Sequence, residues 1–256
     1  MRIKITYWIL VLFFGISCTR IVDSVEQKSS SWNEYESEHY IFYVREGSQA
    51  EESIEAIKVE QERAYRELNE RLGLTFDRKL LVYVYESRQD FGETVRTGRA
   101  HPELGMIETI YGSDAKTIGM RGISLHELSH IVAFYEWCPV TERLFSEGLA
   151  VWLDDYWRAP SITSTDLFQI SKVLLRRGQL PSVEDMITQW DELESQHSYP
   201  AAGAFTKFLI REYGLDSFKR LYCEARTRNF DSVFFDIYGK RFWEIEEVYH
   251  SFLRNY

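Results

Sequence analysis

The 256-residue chain holds only 3 Cys, too few for the disulfide framework of a small secreted scaffold. With 5 Pro and 14 Gly it cannot be collagen-like or a flexible linker. No apolar run reaches the ~20 residues that a membrane-spanning helix requires. Positive charge is also in deficit: 30 basic residues face 40 acidic ones, for a net charge of −10. Long-range attraction to phosphates is therefore weak, and no nucleic-acid partner is expected. There is no phosphate-cradling Gly loop, no dinucleotide fingerprint and no Ser or Cys nucleophile arrangement. Internal repeats and low-complexity tracts are missing too. What the chain does have is 45% hydrophobic and 15% aromatic residues, enough to build a packed core and to exclude disorder.

The first residues read as a targeting segment. Arg2 and Lys4 precede an apolar run over residues 5–16, and the chain across its end reads Gly15-Ile16-Ser17-Cys18. That ending resembles a bacterial lipobox, with Gly15 standing where Leu is usual. The resemblance implies a signal peptide over residues 1–17 and a lipid on Cys18; ordinary signal cleavage and a buried N-terminal strand are the alternatives. Polar residues then dominate, including Lys28-Ser29-Ser30-Ser31, so residues 18–38 read as a tether. Lipid on Cys18 would leave Cys138 and Cys223, which two positions in a sequence neither pair nor separate.

From residue 39 the chain reads as one α+β domain to residue 256. Residues 39–44 and 79–85 carry the aromatic and β-branched residues of strands, and residues 106–111 and 115–118 read likewise around the turn Gly112-Ser113-Asp114. Residues 51–72 space Ile54, Ile57, Ala64, Leu68 and Leu72 for a helix that Gly73 stops. Helices follow at 125–135, 142–157 and 200–213, the last with Pro at its first turn and Gly214 after its end. The expectation is a small mixed sheet with helices over residues 39–135, then a mostly helical lobe over 136–256. The aromatic residues of the last forty positions, such as Phe218, Phe234 and Phe242, read as core rather than as a binding strip.

One motif carries chemistry. His126-Glu127-Leu128-Ser129-His130 is HExxH. On a helix the two imidazoles lie one turn apart on one side and can hold a single Zn²⁺. Glu127 is placed to accept a proton from the attacking water instead of binding the ion. Incidental histidines on a solvated helix are the bland reading. Leu125, Leu128, Ile131, Val132 and Phe134 oppose it, because they make the helix apolar on several sides. A catalytic zinc needs a third protein ligand. Glu147 is the acid in the middle of the apolar stretch Leu144-Phe145-Ser146-Glu147-Gly148-Leu149-Ala150-Val151, and a turn at Pro139 lets its helix fold back. Gly148 would allow the two helices to approach closely. Glu136, Glu142, Asp154 and Asp155 compete from nearer helix ends, where acids are usually solvated.

HELSH followed by SEGLAVW resembles the gluzincin zinc metallopeptidases, and among them the peptidase MA-like group. The resemblance implies a zincin-like fold, His126, His130 and Glu147 as zinc ligands, and Glu127 as general base. It implies a sheet-edge strand just before the motif helix, over residues 106–111 or 115–118, that receives an extended peptide. Gly105-Met106-Ile107-Glu108-Thr109 is similar to the element by which gluzincin aminopeptidases hold a free amino terminus, which would make Glu108 a substrate-binding residue. The Met and Asn of that element are Ile107 and Thr109 here. Some gluzincins orient a histidine with an Asp four residues after the third ligand; that position is Val151, and Asp154 is the alternative. Tyr199-Pro200-Ala201-Ala202 resembles the family's Tyr-bearing helix start, with Tyr199 as oxyanion donor. His197 reads as a loop histidine, and His39, His101 and His250 have no partner pattern.

The expectation is an extracytoplasmic, lipid-anchored zinc metallopeptidase acting on peptides or proteins, its oligomeric state open. The alternative is an inactive envelope lipoprotein that keeps the fold and holds peptides. A purely structural zinc would leave Glu127 without a task.

Overall fold

The computed structural model describes residues 32–92, 97–111, 120–139, 141–155, 157, 162 and 164–256. Cys18, the targeting segment, and the strand and turn expected over 112–118 lie outside them. The fold is α+β. A five-stranded mixed sheet is built from β1 (Trp32–Glu36), β2 (Tyr40–Arg45), β3 (Leu80–Tyr85), β4 (Gly98–His101) and β5 (Met106–Ile110), in the order β1-β2-β3-β5-β4. β2, β3 and β5 run parallel, and β1 and β4 flank them antiparallel.

β1 corrects the expected start of the domain, since it lies within the presumed tether. Its Glu34 and Glu36 read as solvated, yet an edge strand tolerates charge on its outer face. What seats it is aromatic: Trp32 meets Tyr83 and Tyr85 edge-on, at 5.5 and 5.2 Å between ring centroids. Arg45 covers the Trp32 ring at 4.2 Å. Asn33 and Tyr35 both donate to Glu51.

Helix α1 (Ile54–Leu72) crosses from β2 to β3 and ends on Gly73, whose φ of 61° is the left-handed cap that glycine supplies cheaply. Helix α2 (Met120–Glu136) carries the HExxH motif and packs beside α1. Val82, Val84 and Ile107 from the sheet meet Leu68 of α1 and Leu128 and Val132 of α2 in one buried cluster, which continues through the helical half to Leu253. α3 (Arg143–Asp154) folds back beside α2, followed by α4 (Leu167–Arg176), α5 (Val183–Thr188), α6 (Ser195–Tyr213), α7 (Leu215–Glu224), α8 (Phe230–Tyr238) and α9 (Phe242–Asn255). Cys138, just beyond α2, is disulfide-bonded to Cys223 of α7, with their Cα atoms 5.7 Å apart. No helix among the described residues is long and apolar enough to cross a membrane.

α6 starts five residues earlier than its proline indicates. The Glu194 carbonyl accepts from His197 and Ser198 backbone N–H groups, which opens the helix at Ser195. Pro200 then sits inside the helix, and Tyr199 lies in its second turn instead of preceding it. Of the late aromatic residues, Phe218, Tyr222 and Phe234 are core, whereas Phe235 and Trp243 are about half exposed.

Candidate metal centre

The i,i+4 spacing on α2 sets His126 and His130 on the same side of the helix, their ring centroids 5.1 Å apart. α3 brings Glu147 against both. Its Oε2 lies 3.3 Å from His126 Nε2 and 3.7 Å from His130 Nε2. Contrary to the sequence expectation, Gly148 does not face α2; it lets α3 seat closely on α6 instead. A Cβ on Gly148 would lie 2.3 Å from Thr206 Oγ1 and 2.9 Å from the Ala202 carbonyl oxygen of α6, and one on Gly203 would lie 2.4 Å from Val151. α3 and α6 thus touch at two glycines, Gly148 against Thr206 and the Ala202 carbonyl and Gly203 against Val151.

One ligand atom from each of His126, His130 and Glu147 falls within 4.8 Å of the others. Two donors at 2.0–2.1 Å from one tetrahedral ion are separated by about 3.4 Å. The observed 3.3 and 3.7 Å match that edge length, and two imidazoles with one carboxylate form a donor set that suits zinc. The residues present therefore fit the ion.

Each ligand has a partner behind it. His126 Nδ1 faces Asp154 Oδ2 at 3.5 Å. His130 Nδ1 lies 3.0 Å from Ser146 Oγ. Arg143 Nη2 stands 3.9 Å from Glu147 Oε1, which leaves Oε2 turned to the histidines. Asp154 is not the solvated acid that its place near a helix end indicates: its side chain is 11% exposed. Arg71 crosses from α1 to bind the carbonyl oxygens of Trp152 and Leu153, placing a cation at the α3 C-terminus beside it.

The electrostatics favour positive charge at the centre of this group. Burial opposes charge on His126, but hydrogen bonds to Asp154 and Glu147 outweigh it and raise its pKa well above 6.5. Burial lowers His130 to about 4, with the neighbouring His126 and Arg143 adding to the effect against the pull of Glu147. Burial would raise Glu147, yet His126, His130 and Arg143 bring it down to about 2. Burial lifts Asp154 to about 6 in spite of His126.

Glu127 points from α2 toward the sheet edge. A Cβ added to Gly98 of β4 would lie 2.6 Å from Glu127 Oε1, so the carboxylate rests directly over the strand. Among the described residues that strand is the sheet edge, so β5 is not the edge strand expected over 106–111; the other candidate, residues 115–118, lies outside them. β5 is enclosed between β3 and β4. Glu108 is displaced with it. Gly98 and Ala100 pair with Thr109 and Ile107 on the α2 side, whereas Arg99 pairs with Glu108 on the other face. There Glu108 accepts from the Tyr85 hydroxyl at 2.6 Å and lies 2.9 Å from His101 Nε2 and 3.3 Å from Arg99 Nη1. It is a structural acid on the face away from the histidines, and His101 is its partner.

Tyr199 does reach the site. Its ring centroid lies 6.5 Å from that of His126, stacked on Trp157 at 5.4 Å and met edge-on by Trp190 at 5.4 Å. His197 stays peripheral, 3.8 Å from Glu194. His39 binds Glu62 at 2.7 Å and stacks on Tyr65, tying β2 to α1. Sequence reasoning missed Gly98, Arg143, Ser146, Trp157 and Trp190. For Ser146 adjacency to Glu147 was a usable signal; Gly98 had none, because its value depends on what packs against it.

No family model and no curated protein matches the chain in comparisons of sequence. Solved structures do match in shape. An M1 zinc metallopeptidase from Deinococcus radiodurans, in a Glu-to-Ala mutant form, is 16% identical with a TM-score of 0.52, over 82% of this chain and 48% of that one. The same mutant bound to a Tyr-Ser-Ala substrate is 17% identical with a TM-score of 0.54, over 85% and 51%. This chain thus spans about half the length of those it resembles. At such identity the likeness is one of fold: the chain has the zincin-like α+β fold of zinc metallopeptidases.

Proposed function

We propose that the chain is a zinc metallopeptidase, exported and held outside the cytoplasm by a lipid on Cys18 after removal of residues 1–17. The observation that carries the catalytic part is the convergence of His126, His130 and Glu147 at ligand spacing, with Glu127 beside them over Gly98 of β4. A zinc ion held by those three residues would polarise a carbonyl and acidify a water at neutral pH.

The chain's own groups supply the rest. Among the described residues β4 has one unpaired edge, on which an extended peptide can lie as an added strand. Gly98 leaves that edge bare directly beneath Glu127. The Glu127 carboxylate takes a proton from the attacking water and returns it to the departing amine nitrogen. The Tyr199 phenol, its ring fixed between Trp157 and Trp190, donates a hydrogen bond to the oxyanion as it develops. Asp154 and Ser146 hold the imidazoles, and Arg143 occupies the Glu147 oxygen that faces away from them. The peptide bound by the structural neighbour, Tyr-Ser-Ala, is in keeping with this substrate class.

The test is metal analysis coupled to peptide-library cleavage. One zinc per chain and cleavage that a chelator abolishes and zinc restores are expected. Zinc-loaded protein that leaves a diverse library intact contradicts the proposal. Mass spectrometry of the mature N-terminus checks the anchor, which requires diacylglycerol on Cys18.

A further inference from the structure

We propose that Arg143 binds a carboxylate of the substrate and so decides which peptides are cut. The favoured ones carry an acidic side chain or a free C-terminus close to the scissile bond. The inference rests on the peptidase reading of the site.

Arg143 is the first residue of α3, whose first turn carries no acidic residue. The helix dipole disfavours a cation at that end, so local helix chemistry does not account for an arginine there. Glu147 follows one turn later on the same side of the helix. Arg143 Nη2 faces Glu147 Oε1 at 3.9 Å, too long for a hydrogen bond. The guanidinium lies over the ring of Trp190, 5.5 Å from its centroid. Trp190 in turn meets Tyr199 edge-on, and the Tyr199 ring lies beside that of His126. Cation and phenol thus rest on one indole, both next to the ligand group.

A guanidinium has five N–H donors. Among the described residues Arg143 makes one hydrogen bond, from Nη1 to Asp191. The Asp191 side chain is 86% exposed, and a pair so open to water holds weakly. Arg143 itself is 39% exposed and can be reached from solvent. A carboxylate brought by a peptide can take the remaining donors or displace Asp191. The planar fork suits that ligand, because it can meet both carboxylate oxygens at once. Trp190 is buried and screens one side of the cation from water, which strengthens a charged contact on the other.

The test uses zinc-loaded Glu127→Gln protein, in which peptides bind without being consumed. The probes are fluorescein-labelled alanine peptides with one Glu or Gln walked along the chain, each with a free or an amidated C-terminus. Fluorescence anisotropy should show one such pair in which the carboxylate form binds about tenfold more tightly than the amide, as for one charge-assisted hydrogen bond. A Glu–Gln difference assigns the carboxylate to a side chain, and a difference between termini assigns it to a C-terminus. Adding Arg143→Gln should erase the preference, and Arg143→Lys should keep part of it. Asp191→Asn should enlarge it by removing the competing carboxylate. Equal affinity within every pair overturns the inference. An Arg143→Gln protein that loses the same factor for both members of a pair also overturns it, because Arg143 then only steadies Glu147. Wild type that leaves a diverse peptide library uncut overturns the peptidase reading instead. Anisotropy, repeated without metal if none binds, still decides the role of Arg143.

Discussion

Replacing Gly148 by alanine attacks the contact that seats α3, the helix that carries Glu147, on α6. The new methyl would lie 2.3 Å from Thr206 Oγ1 and 2.9 Å from the Ala202 carbonyl oxygen. The threonine side chain can rotate away. The carbonyl belongs to helix backbone and cannot, so α3 must back off from α6 by several tenths of an ångström. Overpacking of this kind costs about 1–3 kcal/mol. Alanine recovers about 1 kcal/mol of helix propensity over glycine. Because the fixed backbone contact places the cost in its upper range, a net loss of about 1–2 kcal/mol is expected, and Tm should fall by about 2–8 °C for a chain of this size. Thermal unfolding by circular dichroism reads the effect. Zinc affinity should fall with it, since Glu147 moves with its neighbour. Adding Thr206→Ala should restore only the part due to the hydroxyl. A Gly148→Ala protein as stable as wild type, or more so, refutes the close-approach argument.

Three further outcomes follow from the geometry. Gly98→Ala pushes a methyl into the Glu127 carboxylate, which must swing aside; kcat should fall about 100-fold with zinc content unchanged, and wild-type kcat would show that the edge strand does not govern Glu127. Zinc must displace a proton from His126, whose pKa is raised well above 6.5 by Asp154 and Glu147 against the opposing effect of burial. Affinity should therefore climb about tenfold per pH unit from 6.5 up to that raised value and drop on acidification; a flat profile in chelator competition contradicts the assignment. Glu108→Ala leaves the buried Tyr85 hydroxyl and Arg99 without their shared acceptor, so urea unfolding should show a loss of about 1–3 kcal/mol at unchanged zinc content; no loss would mean that the network contributes nothing to stability.

Which of these features could be read in the sequence depends on how local their causes are. The i,i+4 histidines, the apolar flanks of α2 and α3, and Gly73 at a helix end are written within one or two turns of chain, and they were legible. The central position of β3 follows from its run of apolar and aromatic residues. β1 was hidden because its alternation of Trp32, Glu34 and Glu36 is mostly polar, and the aromatic partners that seat it, Tyr83 and Tyr85, lie some fifty residues away. β4 was hidden for a similar reason. Gly98-Arg99-Ala100-His101 has little strand propensity, and only pairing with β5 makes it an edge. Asp154 read as solvated because helix ends usually are; the packing of α1, through Arg71, buries this one. Pro200 misplaced the start of α6, since the residue that most often marks a first turn sits here one turn further in. The family resemblance carried Glu108 to the wrong strand for a related reason. A short glycine-led string matched β5, whereas the position over Glu127 belongs to Gly98 on β4.

The most direct test of the central claim is Glu127→Gln. The substitution keeps the side chain's size and leaves His126, His130 and Glu147 in place, so the variant should bind one zinc per chain with wild-type affinity. Peptide cleavage should disappear, because an amide cannot accept the proton that Glu127 takes from water. A Glu127→Gln protein that retains its zinc and cleaves a peptide library as fast as wild type would contradict the account.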